Sequence, residues 1–223
     1  KRRRKKLRRR QKNKLQKKTS KKTRMSKYPV MEQFLTLQGE GYHTGRSAIF
    51  IRLGGCDVGC VWCDVKESWD ESKHPSKEIS EIIDEISSYP TDFVVITGGE
   101  PSLHNLAPLV RALKDEKKYV AIETSGTNPL PKGIDWVCLS PKKFKKPIED
   151  AYKCANELKV IICHPSDLNW AKGHAKKLNE NVELYLQPEW SKADKRMKNI
   201  IDFINENPKW KLSLQTHKFL NIP

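Results

Sequence analysis

Three cysteines stand within eight positions of one another in Cys56-Asp57-Val58-Gly59-Cys60-Val61-Trp62-Cys63. Three soft thiolates brought round one side of a compact loop suit an iron–sulfur cluster or zinc. A structural zinc site closes with four ligands, often as two pairs. His43 and His74 are the nearest histidines on either side, and neither has a finger-like spacing. Three cysteines without an evident fourth point to an iron left open for another ligand, with zinc and inert core thiols as the alternatives. Cys138, Cys154 and Cys163 have no paired spacing and read as small buried hydrophobes. Six cysteines so placed make no disulfide framework, and they predict a reducing, cytoplasmic setting.

Other residues gather where apolar runs end. Thr97, Glu123, Ser140, Gln187 and Gln215 each follow such a run, and ligands of α/β proteins collect at the carboxyl ends of strands. The glycine pair in Thr97-Gly98-Gly99-Glu100-Pro101 marks a tight turn when taken alone. Arg52 offers a planar fork for a carboxylate, or an ordinary salt bridge. The Gln38 amide has both donors and an acceptor for a heterocycle edge.

The elements that must position these groups alternate along the chain. Strands are predicted around Ala48–Ile51, Phe93–Ile96, Tyr119–Ile122, Trp136–Leu139, Leu158–Ile162, Val182–Leu186 and Leu212–Leu214. Helical stripes run through Ile79, Ile82, Ile83 and Ile86, with Ser76 or Ser80 as cap; through Leu106, Leu109, Val110 and Leu113; and through Met197, Ile200, Ile201 and Ile204. That alternation predicts an α/β fold with parallel strands and helices outside. With 223 residues the chain is short for an eightfold barrel of about 250, so a partial (β/α) TIM-like barrel is expected.

The net charge of +16 lies in one place. Residues 1–24 hold 16 basic and no acidic residues, leaving 27 of each over residues 25–223. The leader cannot bury enough apolar surface to order itself when free. It reads either as a nucleic-acid arm or as a mis-assigned extension with the natural start at Met25. Residues 25–223 then form one domain, whose balanced charge shows no basic–aromatic nucleic-acid pattern. No apolar run is long enough to span a membrane.

Cys56-x3-Cys60-x2-Cys63, with aromatic Trp62 before the third cysteine, resembles the signature of the radical S-adenosylmethionine (SAM) superfamily. Gly98-Gly99-Glu100-Pro101 resembles its GGEP element. The resemblance implies a partial barrel, and a [4Fe-4S] cluster on Cys56, Cys60 and Cys63 whose open iron binds SAM. Leu37-Gln38-Gly39-Glu40-Gly41, Arg52, Glu123-Thr124-Ser125-Gly126, Ser140-Pro141-Lys142, Gln187-Pro188 and Pro223 together look like the 7-carboxy-7-deazaguanine synthase family, over Tyr28 to Pro223. By that resemblance the substrate is 6-carboxy-5,6,7,8-tetrahydropterin, contracted with loss of ammonia on the route to queuosine. Leu37, Gln38, Gly39, Arg52, Thr97 and Pro223 are then expected to contact substrate. Trp62, Cys63, Asp64, Gly98, Gly99, Glu100, Ser140, Pro141, Lys142, Gln187, Pro188, Glu189 and Trp190 are expected to line the SAM pocket. Glu123 takes the place of an active-site carboxylate, and His217 is a further candidate for the substrate site.

The resemblance also implies a homodimer and an electron donor such as flavodoxin or ferredoxin. A glycyl-radical activase is the alternative within the superfamily. One departure stands out: many family members carry Thr or Ser two positions after the third cysteine, as a magnesium ligand, and here that residue is Val65. A weaker or absent magnesium requirement is expected.

Overall fold

The computed structural model describes residues 26–223; the basic leader and the start expected at Met25 lie outside the described residues. Nine strands make one sheet: β1 (Lys27–Leu37), β2 (Ser47–Leu53), β3 (Ser76–Glu78), β4 (Phe93–Gly98), β5 (Tyr119–Thr124), β6 (Trp136–Leu139), β7 (Glu157–Ile162), β8 (Glu183–Pro188) and β9 (Trp210–Leu212). Their order is β3-β1-β2-β4-β5-β6-β7-β8-β9, and the two end strands do not pair, so the barrel is partial. From β2 through β4 to β9 every pairing is parallel. β1, which is not among the predicted strands, is antiparallel to both β2 and β3. Residues 38–46 join β1 to β2 without a helix, and so short a connection permits only antiparallel pairing.

The helices are α1 (Ile79–Ser87), α2 (Ala107–Asp115), α3 (Glu149–Cys154), α4 (Asp167–Ala175), α5 (Ala193–Glu206) and α6 (Thr216–Leu220). The three expected stripes became α1, α2 and α5. Neither serine caps α1. Glu78 is the cap, in a reciprocal capping box with Glu81, while Ser76 belongs to β3 and Ser80 to the helix itself.

Side chains alternate across the sheet. Outward residues such as Ile51, Ile96 and Ile122 pack under Ile82, Leu109 and Leu113 of α1 and α2. Leu158, Val160 and Leu186 pack with Ala171, Ile200 and Phe203 of α4 and α5. Each of the larger of these side chains contributes about 1.5–3 kcal/mol by leaving water.

Inward, at the amino ends of the strands, Ala48, Phe93, Val95 and Ala121 pack with Phe50, Tyr119 and Trp136 into an apolar floor. His43 lies in that floor, 4.8 Å from the Phe93 ring and 4.7 Å from that of Trp136. It is therefore at the opposite end of the strands from the cysteines and is no fourth ligand. His74 is engaged too, its Nε2 lying 2.9 Å from the Glu67 carbonyl. Cys138 is buried and Cys163 half-buried, but Cys154 is exposed at the end of α3, which corrects the expectation of three core thiols.

No helix among the described residues is long and apolar enough to cross a membrane.

Candidate active site

Two residues beyond the apolar floor, the same alternation brings polar groups inward at the carboxyl ends of the strands. Arg52, Thr97, Glu123, Lys159 and Gln187 line a cavity of about 270 Å³. Sheet register sets Arg52 beside Thr97 and Ile161 beside Gln187. Every residue expected to touch substrate or cofactor reaches this cavity except Pro141. Pro141 lines a smaller neighbouring cavity of about 110 Å³, to which Trp62 and Lys142 also contribute. Trp190 stands at the mouth, 42% exposed and edge-on to Phe219.

The cysteine loop follows β2 at this end. A turn bond from Cys63 N to Cys60 O, 3.1 Å, draws those two residues together. All three cysteines face the one cavity. Among the described residues, no three His, Cys, Asp or Glu side chains converge on a single-ion site. Burial pushes the Cys60 thiol up to about 11, against the pull of Lys142. Such thiols ionise only opposite a strong cation, as metal loading supplies.

Gly98 and Gly99 bring β4 against that loop. Gly98 has φ +137°, and a Cβ there would sit 2.0 Å from the Leu53 carbonyl oxygen; one on Gly99 would meet that of Gly55 at 2.3 Å. Only glycine allows this approach. Glu100 then turns inward, almost wholly buried. One of its oxygens accepts from Ser102 N (3.0 Å) and Thr124 Oγ1 (2.5 Å). The other accepts from Ser125 N (2.6 Å) and from the Ser125 hydroxyl. All four acceptor positions are filled, so this carboxylate buckles the end of β4 to the end of β5.

A charged layer lies between floor and mouth. The Lys159 ammonium, buried, donates to Glu40 Oε2 at 2.5 Å and Glu123 Oε2 at 2.8 Å. Burial opposes its charge, but the surrounding acidic groups hold its pKa well above the usual lysine range. Gln38 Nε2 donates to Glu123 Oε1 (3.2 Å), and Gln215 Nε2 to Glu40 Oε1 (2.9 Å). Glu123 is thus no isolated strand-end carboxylate.

Below it, Glu157 accepts from Trp136 Nε1 (3.0 Å) and Tyr42 N (3.3 Å), while its Oε1 has no partner. Burial, abetted by Glu123 and opposed by Lys159, lifts Glu157 from 4.5 to about 7. The unfolded chain therefore releases this proton first, and stability falls as pH rises from about 4.5 to about 7. Glu157→Gln, which keeps an acceptor for Trp136, is expected to stabilise the protein at pH 8 by roughly 3 kcal/mol and to change little at pH 4. Thermal midpoints at the two pH values check this; equal shifts at both would contradict it.

Past β9 the chain returns across the mouth. Thr216 N and Oγ1 donate to the Gly39 carbonyl at 2.9 and 3.0 Å, and Thr36 Oγ1 donates to that of Pro223 at 3.2 Å. This strap brings Gln215, His217 and Pro223 into the cavity wall and bridges the gap between β9 and β1.

Residues 50–152 match the Radical SAM superfamily. A 7-carboxy-7-deazaguanine synthase of Flavobacterium psychrophilum is 52% identical over 195 residues, covering 87% of this chain and 92% of the relative. The chain belongs to the 7-carboxy-7-deazaguanine synthase family. The synthase of that name from Escherichia coli K12 is 36% identical, covering 87% of this chain and 99% of the relative. The crystal structure of QueE from Escherichia coli superposes with a TM-score of 0.76 at 33% identity, over 84% of this chain and 93% of that one. Membership of the superfamily implies a [4Fe-4S] cluster and SAM.

Glu40, Glu157, Lys159 and the pair Asp64–Lys218 are site features that motif reading passed over or left without partners. Lys159 was legible in principle. Glu157 and Lys159 interrupt an apolar strand at alternate positions, which marks one face as polar and enclosed.

Proposed function

We propose that this chain is a 7-carboxy-7-deazaguanine synthase, converting 6-carboxy-5,6,7,8-tetrahydropterin to 7-carboxy-7-deazaguanine and ammonia in queuosine biosynthesis. The observation that carries this is one cavity joining three cysteines to an inward arginine and an inward glutamate. Product and ammonia together account for every atom of the substrate, so SAM is needed catalytically.

Cys56, Cys60 and Cys63 hold the cluster. With SAM bound, cluster and cofactor together supply the one-electron chemistry that removes hydrogen from C6. Around them Gly98, Gly99, Glu100, Ser140, Pro141, Lys142, Gln187, Pro188, Glu189 and Trp190 shape the cofactor's space. Lys142 is held by the Ser140 carbonyl at 2.8 Å.

Arg52 lies opposite Glu32 across the β1–β2 pair, and its Nε donates to Glu32 Oε1 at 2.5 Å. The clasp fixes the guanidinium and leaves its terminal nitrogens for the substrate carboxylate. Arg52→Lys loses the fork, and KM for the pterin is expected to rise about 10–100-fold with a smaller change in kcat. Steady-state kinetics with saturating SAM would show it; an unchanged KM would remove Arg52 from substrate binding. Gln38, the backbone of Leu37 and Gly39, Thr97 and Pro223 meet the pterin edge. Glu123 accepts a ring proton and becomes neutral, which leaves Lys159 paired with Glu40.

The family implies a homodimer and an electron donor such as flavodoxin or ferredoxin. The test is anaerobic reconstitution with iron and sulfide, then SAM, reductant and the carboxytetrahydropterin. A product absorbing as a 7-deazapurine is expected. Reductive cleavage of SAM without that product would show the substrate assignment to be wrong.

A further inference from the structure

The strap touches the cysteine loop at one residue among the described contacts, and that residue is Asp64, next to the ligand Cys63. Lys218 Nζ donates to Asp64 Oδ2 at 2.7 Å, and Gln215 Nε2 donates to the same oxygen at 3.2 Å. Lys218 also donates to Gln215 Oε1 at 3.1 Å, and its ammonium lies 5.1 Å from the centre of the Trp190 ring. A carboxylate, an amide oxygen and an aromatic ring thus hold one ammonium, while the amide it grips reaches on to Glu40.

Magnesium does not fit here. It keeps several waters and takes one or two carboxylates as its protein ligands. Val65 offers no side-chain oxygen, and the neighbouring Asp64 already faces a full positive charge.

We infer that Lys218 is the resident cation of this corner: a positioning residue that ties the strap over the substrate to the cysteine loop, with no divalent ion bound. The inference rests on the proposed reaction for its substrate. An exposed ion pair contributes about 0–1 kcal/mol, and this one is half covered, with the Lys218 side chain 23% exposed and that of Asp64 54%. Its geometry is also fixed from three sides. Closing the strap through Lys218 brings Gln215, His217 and Pro223 to the pterin at the same time as it braces the loop that carries Cys63. Breaking the tie frees one from the other, so SAM is spent when the pterin is badly placed.

Two measurements test it. Manganese, as a spin probe for magnesium, is titrated into the reconstituted holoenzyme with SAM and carboxytetrahydropterin. No stoichiometric binding at millimolar metal is expected, and one tightly bound manganese per chain would overturn the inference. The second compares Lys218→Met and Lys218→Arg with the parent. Lys218→Met is expected to raise KM for the pterin about tenfold and to release more 5′-deoxyadenosine per product, with Lys218→Arg restoring both. Parent values for both quantities in Lys218→Met would overturn it. Should Lys218→Met fail to take up iron, Gln215→Leu removes the other half of the tie and is read in the same way. Manganese binding is read without turnover, so a wrong substrate class and a wrong tie give different results.

Discussion

Glu123→Gln slows formation of the 7-deazapurine by roughly 10²–10⁴-fold, the usual contribution of a positioned general base. The amide keeps the shape of the side chain, and its oxygen can still accept from Lys159. It gives up the negative charge beside that ammonium and turns its NH2 toward Gln38 Nε2, so a thermal midpoint measured alongside separates a loosened charged layer from lost proton transfer. The residues proposed to hold SAM do not include Glu123, so its reductive cleavage is expected to continue at a comparable rate. Single-turnover assays that follow 5′-deoxyadenosine and product together separate the two steps. A parallel fall in both would place Glu123 in cofactor binding, and no fall in product would remove it from the chemistry.

Glu100→Gln acts through a different route. The carboxylate fills all four of its acceptor positions with Ser102 N, Thr124 Oγ1, Ser125 N and the Ser125 hydroxyl. An amide presents its NH2 to one backbone N–H in a place with no water to take up the loss. The expected cost is about 3 kcal/mol, or roughly 6–12 °C in the thermal midpoint of the apo-protein. Because Glu100 N also donates to Gly55 O at 2.8 Å, the loosened turn carries the cysteine loop with it. Iron uptake on reconstitution should fall as well. A variant as stable as the parent would show that Glu100 is free for a ligand instead of being committed to the fold.

Much of this architecture can be read before folding, for a physical reason. Apolar runs that become buried parallel strands are self-announcing, and Phe93–Ile96 or Tyr119–Ile122 need only burial to be strands. Their carboxyl ends are then fixed, so Thr97, Glu123 and Gln187 could be assigned to one site. The cysteine and glycine motifs were legible because their chemistry is local. β1 was not, because Pro29 and a register irregularity between Val30 and Glu32 break its alternation. α3, with six residues, and α6, with five, are too short to show a period. Partnership across the chain was also hidden. Nothing near Asp64 announces Lys218, 154 positions later, or near Glu40 announces Lys159, 119 positions later.

The apolar floor has a consequence for traffic. Phe93, Tyr119, Trp136 and His43 close the amino end of the strands, so among the described residues the cavity opens toward the carboxyl end. Cofactor, pterin, ammonia and product share that opening, and whatever enters last is the stopper for everything beneath it. Queueing of this kind imposes an order on arrivals and departures that the reacting groups do not themselves require.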